Sequence, residues 1–145
     1  MPNDRTNRFL QEYRGLGFHG TPCLPSDIEL IERYVRMPLP AAYRAFLLLM
    51  GRKPDSFFDG SDCSLSRLTQ MQAAAHQLPV KTGSSFVLPA NAFAFWMHKG
   101  YEFMYFLCEP ETDDPAVFQY IESENDALRT FGTFSEWLRT CAMDK

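Results

Sequence analysis

Long apolar runs, CxxC cysteine pairs and phosphate-binding loops are all absent from this 145-residue chain. No stretch approaches the roughly 18 apolar residues that a membrane-spanning helix requires, and the N-terminal residues include no apolar segment of the signal-peptide type. The four cysteines are scattered and lack the spacing of a zinc site or a small disulfide scaffold. We therefore expect a cytoplasmic protein with reduced thiols, no metal, no cofactor and no membrane contact.

The chain also has no excess of basic charge. Its formal net charge is −4, which argues against direct nucleic-acid binding through a basic face. Eight acidic residues and no lysine or arginine lie between Tyr101 and Asp126, whereas the rest of the chain has ten acidic and fourteen basic residues. This acidic block indicates either a surface for a basic partner or a solvated face that maintains solubility.

Catalytic motifs are missing as well. The glycines do not form a G-x-x-x-x-G-K-S/T loop, and neither G-x-S-x-G nor H-E-x-x-H occurs. Cys108 and His98 are expected on opposite faces of neighbouring strands, too far apart for proton transfer. Asp113 and Asp114 are adjacent acids in a proline-flanked loop, which is more typical of a solvated turn than of a catalytic pair. We predict that the protein has no catalytic residue and is not an enzyme.

Apolar residues at helical spacing predict several helices in the first half of the chain. Ser26 or Asp27 should cap the second helix, and Gly51 suits the left-handed residue just past the end of the third. Pro79 should end the fourth helix. The predicted spans are 5–14, 28–35, 41–50 and 65–78, with a loop over 52–64.

Strands are predicted in the second half of the chain. Two aromatic-rich segments, 93–98 and 101–108, suggest a hairpin with Lys99 and Gly100 as its turn. Both faces of this hairpin are apolar, so we expect central strands that are covered on each side. The register would pair His98 with Tyr101, Trp96 with Phe103, and Phe95 with Met104. Further short strands are predicted at 86–88 and 117–122.

A closing helix capped by Thr133 or Ser135 and containing Trp137 completes the pattern. Helices, then a strand meander, then a closing helix indicate an α+β fold. We predict a single domain with a largely antiparallel central sheet, flanked by N-terminal helices and a C-terminal helix.

Several short motifs occur in a fixed order along the chain. They are Leu39-Pro40, Tyr43, Phe46-Leu47 and Gly51, then Leu88-Pro89 with the aromatic hairpin, Pro115-Ala116-Val117, and the run from Thr133 to Leu138. Their order resembles the SUKH superfamily of Smi/Knr-like domains. The resemblance covers roughly residues 20–140, and we divide the chain into a short N-terminal helix or extension (1–19) and the SUKH domain (20–145).

The superfamily includes eukaryotic cell-wall regulators and many bacterial immunity proteins of polymorphic toxin systems. The resemblance therefore implies a non-catalytic protein-binding domain, with a toxin as partner. Such toxins often have nuclease domains, whose clefts are basic, and an acidic surface could occupy one. A regulatory scaffold of the Smi/Knr type, without a toxin, is the alternative. An enzyme that uses the aromatic hairpin residues is a third, less favoured reading.

Candidate partner-binding residues lie mainly in two acidic loops. The acidic loop of the C-terminal block holds Glu109, Glu111, Asp113 and Asp114, and the second acidic loop holds Asp55, Asp59 and Asp62. Aromatic anchors that could supply binding energy are Phe57, Phe58 and Tyr120. At the hairpin tip, Trp96, His98 and Tyr101 could form a small-ligand pocket, although large aromatics are more often core.

Overall fold

Five α-helices, one 3-10 turn and four strands follow one another in a computed structural model that describes residues 4–145, apart from the side chain of residue 4. The elements are α1 (Asp4–Arg14), α2 (Pro25–Val35), α3 (Ala41–Met50), the 3-10 turn Ser56–Phe58, α4 (Leu65–Lys81), β1 (Ala92–His98), β2 (Glu102–Leu107), β3 (Val117–Ile121), β4 (Leu128–Phe131) and α5 (Phe134–Met143). The predicted α+β fold is confirmed. None of the helices in this part of the chain is both long and apolar enough to cross a bilayer.

The four strands form one antiparallel meander in the order β1-β2-β3-β4. Helices α3 and α5 cover part of one face, where Tyr43 of α3 stands at the centre of an aromatic core. Its ring centroid lies 5.2 Å from that of Phe106 and 5.4 Å from that of Phe134. All three side chains are fully buried, so large aromatic rings fill the space between the sheet and these helices.

The predicted hairpin register is wrong by one residue in the half of the hairpin next to the turn. Lys99 and Gly100 have positive φ angles of 51° and 77°, and the Tyr101 N–H donates to the His98 carbonyl, so the tight turn is present. The ladder resumes only at Glu102, which pairs with His98, because the Tyr101 carbonyl instead accepts the Glu122 N–H.

A β-bulge restores the predicted register farther from the turn. Between the turn and the bulge, Trp96 pairs with Met104 rather than with Phe103, whereas beyond the shift between Ala94 and Trp96 the pair of Ala94 with Tyr105 follows the predicted register. Trp96 and Phe103 therefore lie on opposite faces of the sheet, because the side-chain period along a strand is two residues.

Strand β1 is at the edge of the sheet, so the prediction that it is central is wrong. Its outer backbone groups are nonetheless occupied. The Gln72 side-chain amide donates to the Ala94 carbonyl at 2.7 Å and accepts the Ala94 N–H at 2.9 Å. Asp62 and Met97 exchange two backbone hydrogen bonds farther along. Polar groups of α4 and of the preceding loop thus cover an edge that would otherwise be unpaired.

Two strand predictions differ from the structure in opposite ways. Residues 86–88 do not form a strand; Phe86 instead stacks on Tyr120 at 4.7 Å between ring centroids. Strand β4 was not predicted, because it is only four residues long and none of its residues is buried. Short, exposed segments give no clear alternation of apolar and polar residues.

Helix ends account for the remaining corrections. Helix α2 begins at Pro25, and Asp27 accepts the Leu24 N–H at 2.8 Å from inside the first turn, so neither Ser26 nor Asp27 is its cap. Helix α4 continues past Pro79 to Lys81. Of the two predicted caps of α5, Thr133 is the one used: its hydroxyl accepts the Glu136 N–H at 3.1 Å.

Gly51 has φ −68° rather than a left-handed value, so the predicted reason for glycine there is wrong. A Cβ at this position would lie 2.7 Å from the Cys23 Sγ and from the Leu47 Cα, which is closer than van der Waals contact allows. Close packing against these two residues therefore requires the glycine.

The division of the chain at residues 19 and 20 stays a prediction, and residues 1–3 of the proposed extension lie outside the described part of the chain.

Candidate partner-binding surfaces

The acidic loop from Glu109 to Asp114 lies beside basic side chains. Glu109 and Glu111 are exposed, and the Asp113 carboxylate is 3.5 Å from the Arg5 guanidinium. The Asp113 carbonyl accepts the Ala42 N–H at 2.9 Å, which fixes this loop to the first turn of α3. A cleft of about 210 Å³ is lined by Arg5, Pro38, Leu39, Pro40, Ala41, Arg44, Glu109, Pro110, Thr112 and Asp113. Arg5 partly offsets the negative charge of this loop, whereas the Arg44 guanidinium is paired with the Glu32 carboxylate at 3.0 Å.

Asp114 has a structural partner inside the protein. Its carboxylate accepts the Ser135 N–H at 2.9 Å in the first turn of α5. Burial raises the pKa of Asp114, and the hydrogen bond from Ser135 opposes that effect. Asp114 therefore anchors the start of α5, and its carboxylate is only partly available to a partner.

Asp55 of the second acidic loop is buried. Its carboxylate accepts the His19 N–H at 2.6 Å and the Phe57 N–H at 2.8 Å, and these two hydrogen bonds lower the pKa of Asp55. The Lys145 ammonium lies 3.4 Å from the same carboxylate. We therefore remove Asp55 from the candidate binding surface, because all of its interactions are internal.

The other predicted residues of this loop divide between surface and core. Phe57 and Asp59 are exposed, whereas Phe58 is buried against Trp137 at 5.8 Å between ring centroids. Asp62 is half-buried, and its carboxylate lies 3.5 Å from the Arg67 guanidinium. Only Phe57 and Asp59 are thus freely available to a partner here.

Tyr120 is fully buried and donates its hydroxyl to the Glu124 carbonyl at 2.8 Å. Together with Phe58, it belongs to the core rather than to a partner-binding surface. The sequence pattern could not decide this, because Phe118 and Tyr120 fall on the same face of β3 and either could be the better-covered residue.

The predicted aromatic cluster at the hairpin does come together. The Trp96 and His98 rings stack with centroids 5.7 Å apart, and His98 meets Tyr101 edge to face at 5.6 Å. Ser61 Oγ lies 3.1 Å from His98 Nδ1. All three rings are half-buried or exposed, so they form a stacked row at the surface.

This row is the margin of a larger surface that the sequence did not reveal. Two lines of cross-strand neighbours lie side by side on the face of the sheet that also meets α3 and α5. None of these residues is buried. We call this surface the open sheet face, and its two lines are His98, Glu102 and Ile121, then Trp96, Met104, Gln119 and Leu128.

Acidic residues border one side of the open sheet face. A shallow cleft of about 320 Å³ is lined by Gln119, Ile121, Glu124, Asn125, Asp126 and Leu128, with no lysine or arginine among them. Within the face, Gln119 donates to the Glu102 carboxylate at 2.7 Å and holds it in place. The open sheet face therefore combines apolar and aromatic side chains with uncompensated negative charge.

Comparison with known protein families identifies the family of this chain. A family model described as SMI1 / KNR4 family (SUKH-1) matches residues 22–140, most of the chain. The chain belongs to the SMI1/KNR4 family (SUKH-1). No curated protein matches it. The resemblance predicted from the sequence is confirmed, and the match spans α2, α3, α4, the whole sheet and most of α5.

Members of the SUKH-1 family are generally non-catalytic binding domains. In this SUKH-1 chain, burial raises the pKa of the Cys108 thiol to about 12, so the thiol is protonated near neutral pH and is a poor nucleophile. Within residues 4–145, no three histidine, cysteine or acidic side chains are grouped as a metal ion would require.

Proposed function

We propose that this SUKH-1 chain is an immunity protein that binds and neutralises a basic protein toxin. The observation that carries the proposal is the charge of the segment from Tyr101 to Asp126, which has eight acidic residues and no basic one. Family membership supports a binding role, and the resemblance implies a toxin, often a nuclease, as the partner.

Electrostatics supply the mechanism of neutralisation. A nuclease cleft must attract phosphate and is therefore basic, so an acidic surface is drawn to it over long range. Complementary charge raises the association rate and excludes wrong partners, whereas buried apolar and aromatic contacts supply most of the affinity. Binding at or near the cleft would block access of the toxin to its substrate. We place this encounter in the cytoplasm, where such a toxin would reach nucleic acid.

A co-expression rescue tests the proposal. The probe is the C-terminal domain encoded by the large open reading frame next to this gene, expressed with and without this protein. We expect growth arrest by the probe alone, relief in the presence of this protein, and a complex that co-purifies. A nuclease probe with its catalytic residue replaced serves as the control, because it should bind this protein without arresting growth.

Absence of both rescue and complex would overturn the immunity role. The regulatory scaffold would then be the leading function for this chain. In that case, we expect affinity purification from the native host to recover a partner that is not toxic when expressed alone.

A further inference from the structure

We propose that the partner docks on the open sheet face, and that it presents an arginine or lysine beside an apolar side chain. This inference rests on the proposed function, because it names the surface through which the toxin is bound. It also replaces the acidic loop, which the sequence alone favours, as the main contact.

The open sheet face is the uncovered continuation of a face that is elsewhere core. One line farther along the strands, Phe106 is fully buried and packs edge to face on Phe134 of α5, with centroids 6.0 Å apart. Helices α3 and α5 stop short of the next two lines, where Met104 is half-buried and Leu128 is 66% exposed. The apolar residues of this sheet face thus extend beyond the helices that cover part of it. An exposed apolar surface of this kind is typical of a site where a partner binds.

The side chains of this face suit the centre of an interface. Trp96 and Met104 are of the types enriched at such centres. They are cross-strand neighbours, and stacking on His98 restricts the Trp96 ring before binding. Ordering them further in a complex therefore costs little conformational entropy.

The charge of the face specifies the chemistry of the partner. The cleft beside Ile121 and Leu128 is lined by Glu124 and Asp126 and by no basic residue. An arginine or lysine entering this cleft would lay its aliphatic stem against the two apolar side chains and its charge against the carboxylates. The nearest base along the chain, Arg129, directly follows Leu128 and pairs with Phe118, so its side chain projects from the opposite face of the sheet.

The acidic loop is less suited to a basic partner. The Arg5 guanidinium lies 3.5 Å from the Asp113 carboxylate and lines the same cleft as Glu109, so a basic partner would meet like charge there. A second copy of this chain is also disfavoured on the open sheet face. Two such faces would bring the carboxylates of Glu124 and Asp126 against their own counterparts.

Two matched substitutions test the surface. Leu128→Arg places a cation in the cleft, whereas Leu30→Arg makes the same change at a 59% exposed residue of α2, a helix that packs against α3 and α4. We expect Leu128→Arg to weaken binding of the toxin domain used in the rescue at least thirtyfold, as for a central interface residue. Leu30→Arg should bind within twofold of the unmodified protein, and Glu111→Arg should weaken binding by less than fivefold.

The two tryptophans give a second readout that can be measured on the unmodified protein. Trp96 is half-buried and Trp137 is buried. Acrylamide should therefore quench mainly Trp96 in the free protein, and docking on the open sheet face should remove that quenching. A Trp96→Phe variant identifies the signal, because only Trp137 then remains.

Each result decides between alternatives. If the toxin binds the unmodified protein but Leu128→Arg binds equally well and Trp96 stays accessible, the open sheet face is not the docking site and the immunity role stands. If the unmodified protein does not bind the toxin, the proposed function fails, and this inference fails with it. A self-association by sedimentation that Leu128→Arg abolishes would assign the face to a second copy and overturn the proposal.

Discussion

The hydroxyl oxygens of Tyr13 and Ser135 lie 2.7 Å apart, and both side chains are buried. This hydrogen bond joins α1 to α5, residues from opposite ends of the chain. Removing one partner of a buried hydrogen bond leaves the other unsatisfied, at a cost of about 1–3 kcal/mol. We expect Tyr13→Phe and Ser135→Ala each to lower the free energy of unfolding by about that amount, as measured in urea.

A double-mutant cycle separates this hydrogen bond from packing. The variant carrying both substitutions should lose less than the sum of the two single losses, because the bond can be lost only once. Arg139→Gln is the control: its ion pair with Glu12 joins the same helices but is half-exposed, so its loss should cost no more than about 1 kcal/mol. Additive effects in the cycle would contradict a direct bond.

Asp55 should matter for stability rather than for binding. Asp55→Asn weakens two hydrogen bonds to backbone N–H groups, so we expect a loss of about 1–3 kcal/mol in the free energy of unfolding. Asp59→Asn, at an exposed position of the same loop, should change it by less than about 0.5 kcal/mol. Toxin affinity should stay within twofold in both variants, and a large loss of affinity with unchanged stability in Asp55→Asn would contradict this assignment.

The pH dependence of Asp55 follows from its lowered pKa. A carboxyl group whose pKa is lower in the folded state stabilises the fold above its unfolded pKa of about 3.9. That stabilisation disappears as the pH falls through the folded value. Acid unfolding of Asp55→Asn should therefore be less steep below about pH 4 than that of the unmodified protein.

Buried thiols should make the protein less stable in alkali. Burial raises the pKa of Cys23 and of Cys63 to about 12. The two thiols contribute fully to the free energy of unfolding below the unfolded pKa of roughly 8.5. This contribution is lost as the pH rises toward 12, by up to about 1.4 kcal/mol per pH unit for each thiol. Melting temperatures from pH 7 to 10 should fall, and a Cys23→Ala/Cys63→Ala variant should show a shallower decline. An equal decline in both proteins would exclude the two thiols as its cause.

Tyr43 offers a stabilising substitution. Its ring is at the centre of the core, and within residues 4–145 its hydroxyl has no hydrogen-bond partner. A buried hydroxyl of this kind costs about 1–3 kcal/mol, which Tyr43→Phe removes while keeping the ring contacts. We expect the free energy of unfolding to rise by about 1 kcal/mol, opposite in sign to Tyr13→Phe. A loss of stability would show that the Tyr43 hydroxyl is satisfied in solution.

Much of the fold could be predicted from the sequence, because apolar spacing and prolines mark the helices directly. The hairpin was recognisable from its aromatic runs and from Lys99-Gly100. Its register next to the turn was not, since the Tyr101 carbonyl accepts the N–H of Glu122, a residue distant in sequence, and the ladder with β1 resumes only at Glu102. Strand β4 forms only because β3 is there to pair with it.

The binding surface was harder to predict than the fold. Acidic residues can be counted along the chain, but the sequence does not show which residues lie next to them in space. It therefore predicted neither the position of Arg5 beside Asp113 nor the burial of Asp55 and Tyr120. The open sheet face consists of residues from four strands that are neighbours only through the ladder. A prediction that misplaces the register by one residue divides this surface between the two faces.

The Gln72 side chain has a consequence for how this protein behaves at high concentration. By donating to and accepting from Ala94, its amide imitates the backbone of a neighbouring strand. An extended segment from another molecule therefore finds the middle of β1 already occupied and cannot use it to nucleate a fibril. At the β1 edge, one glutamine side chain thus prevents intermolecular strand pairing next to the aromatic residues of the sheet.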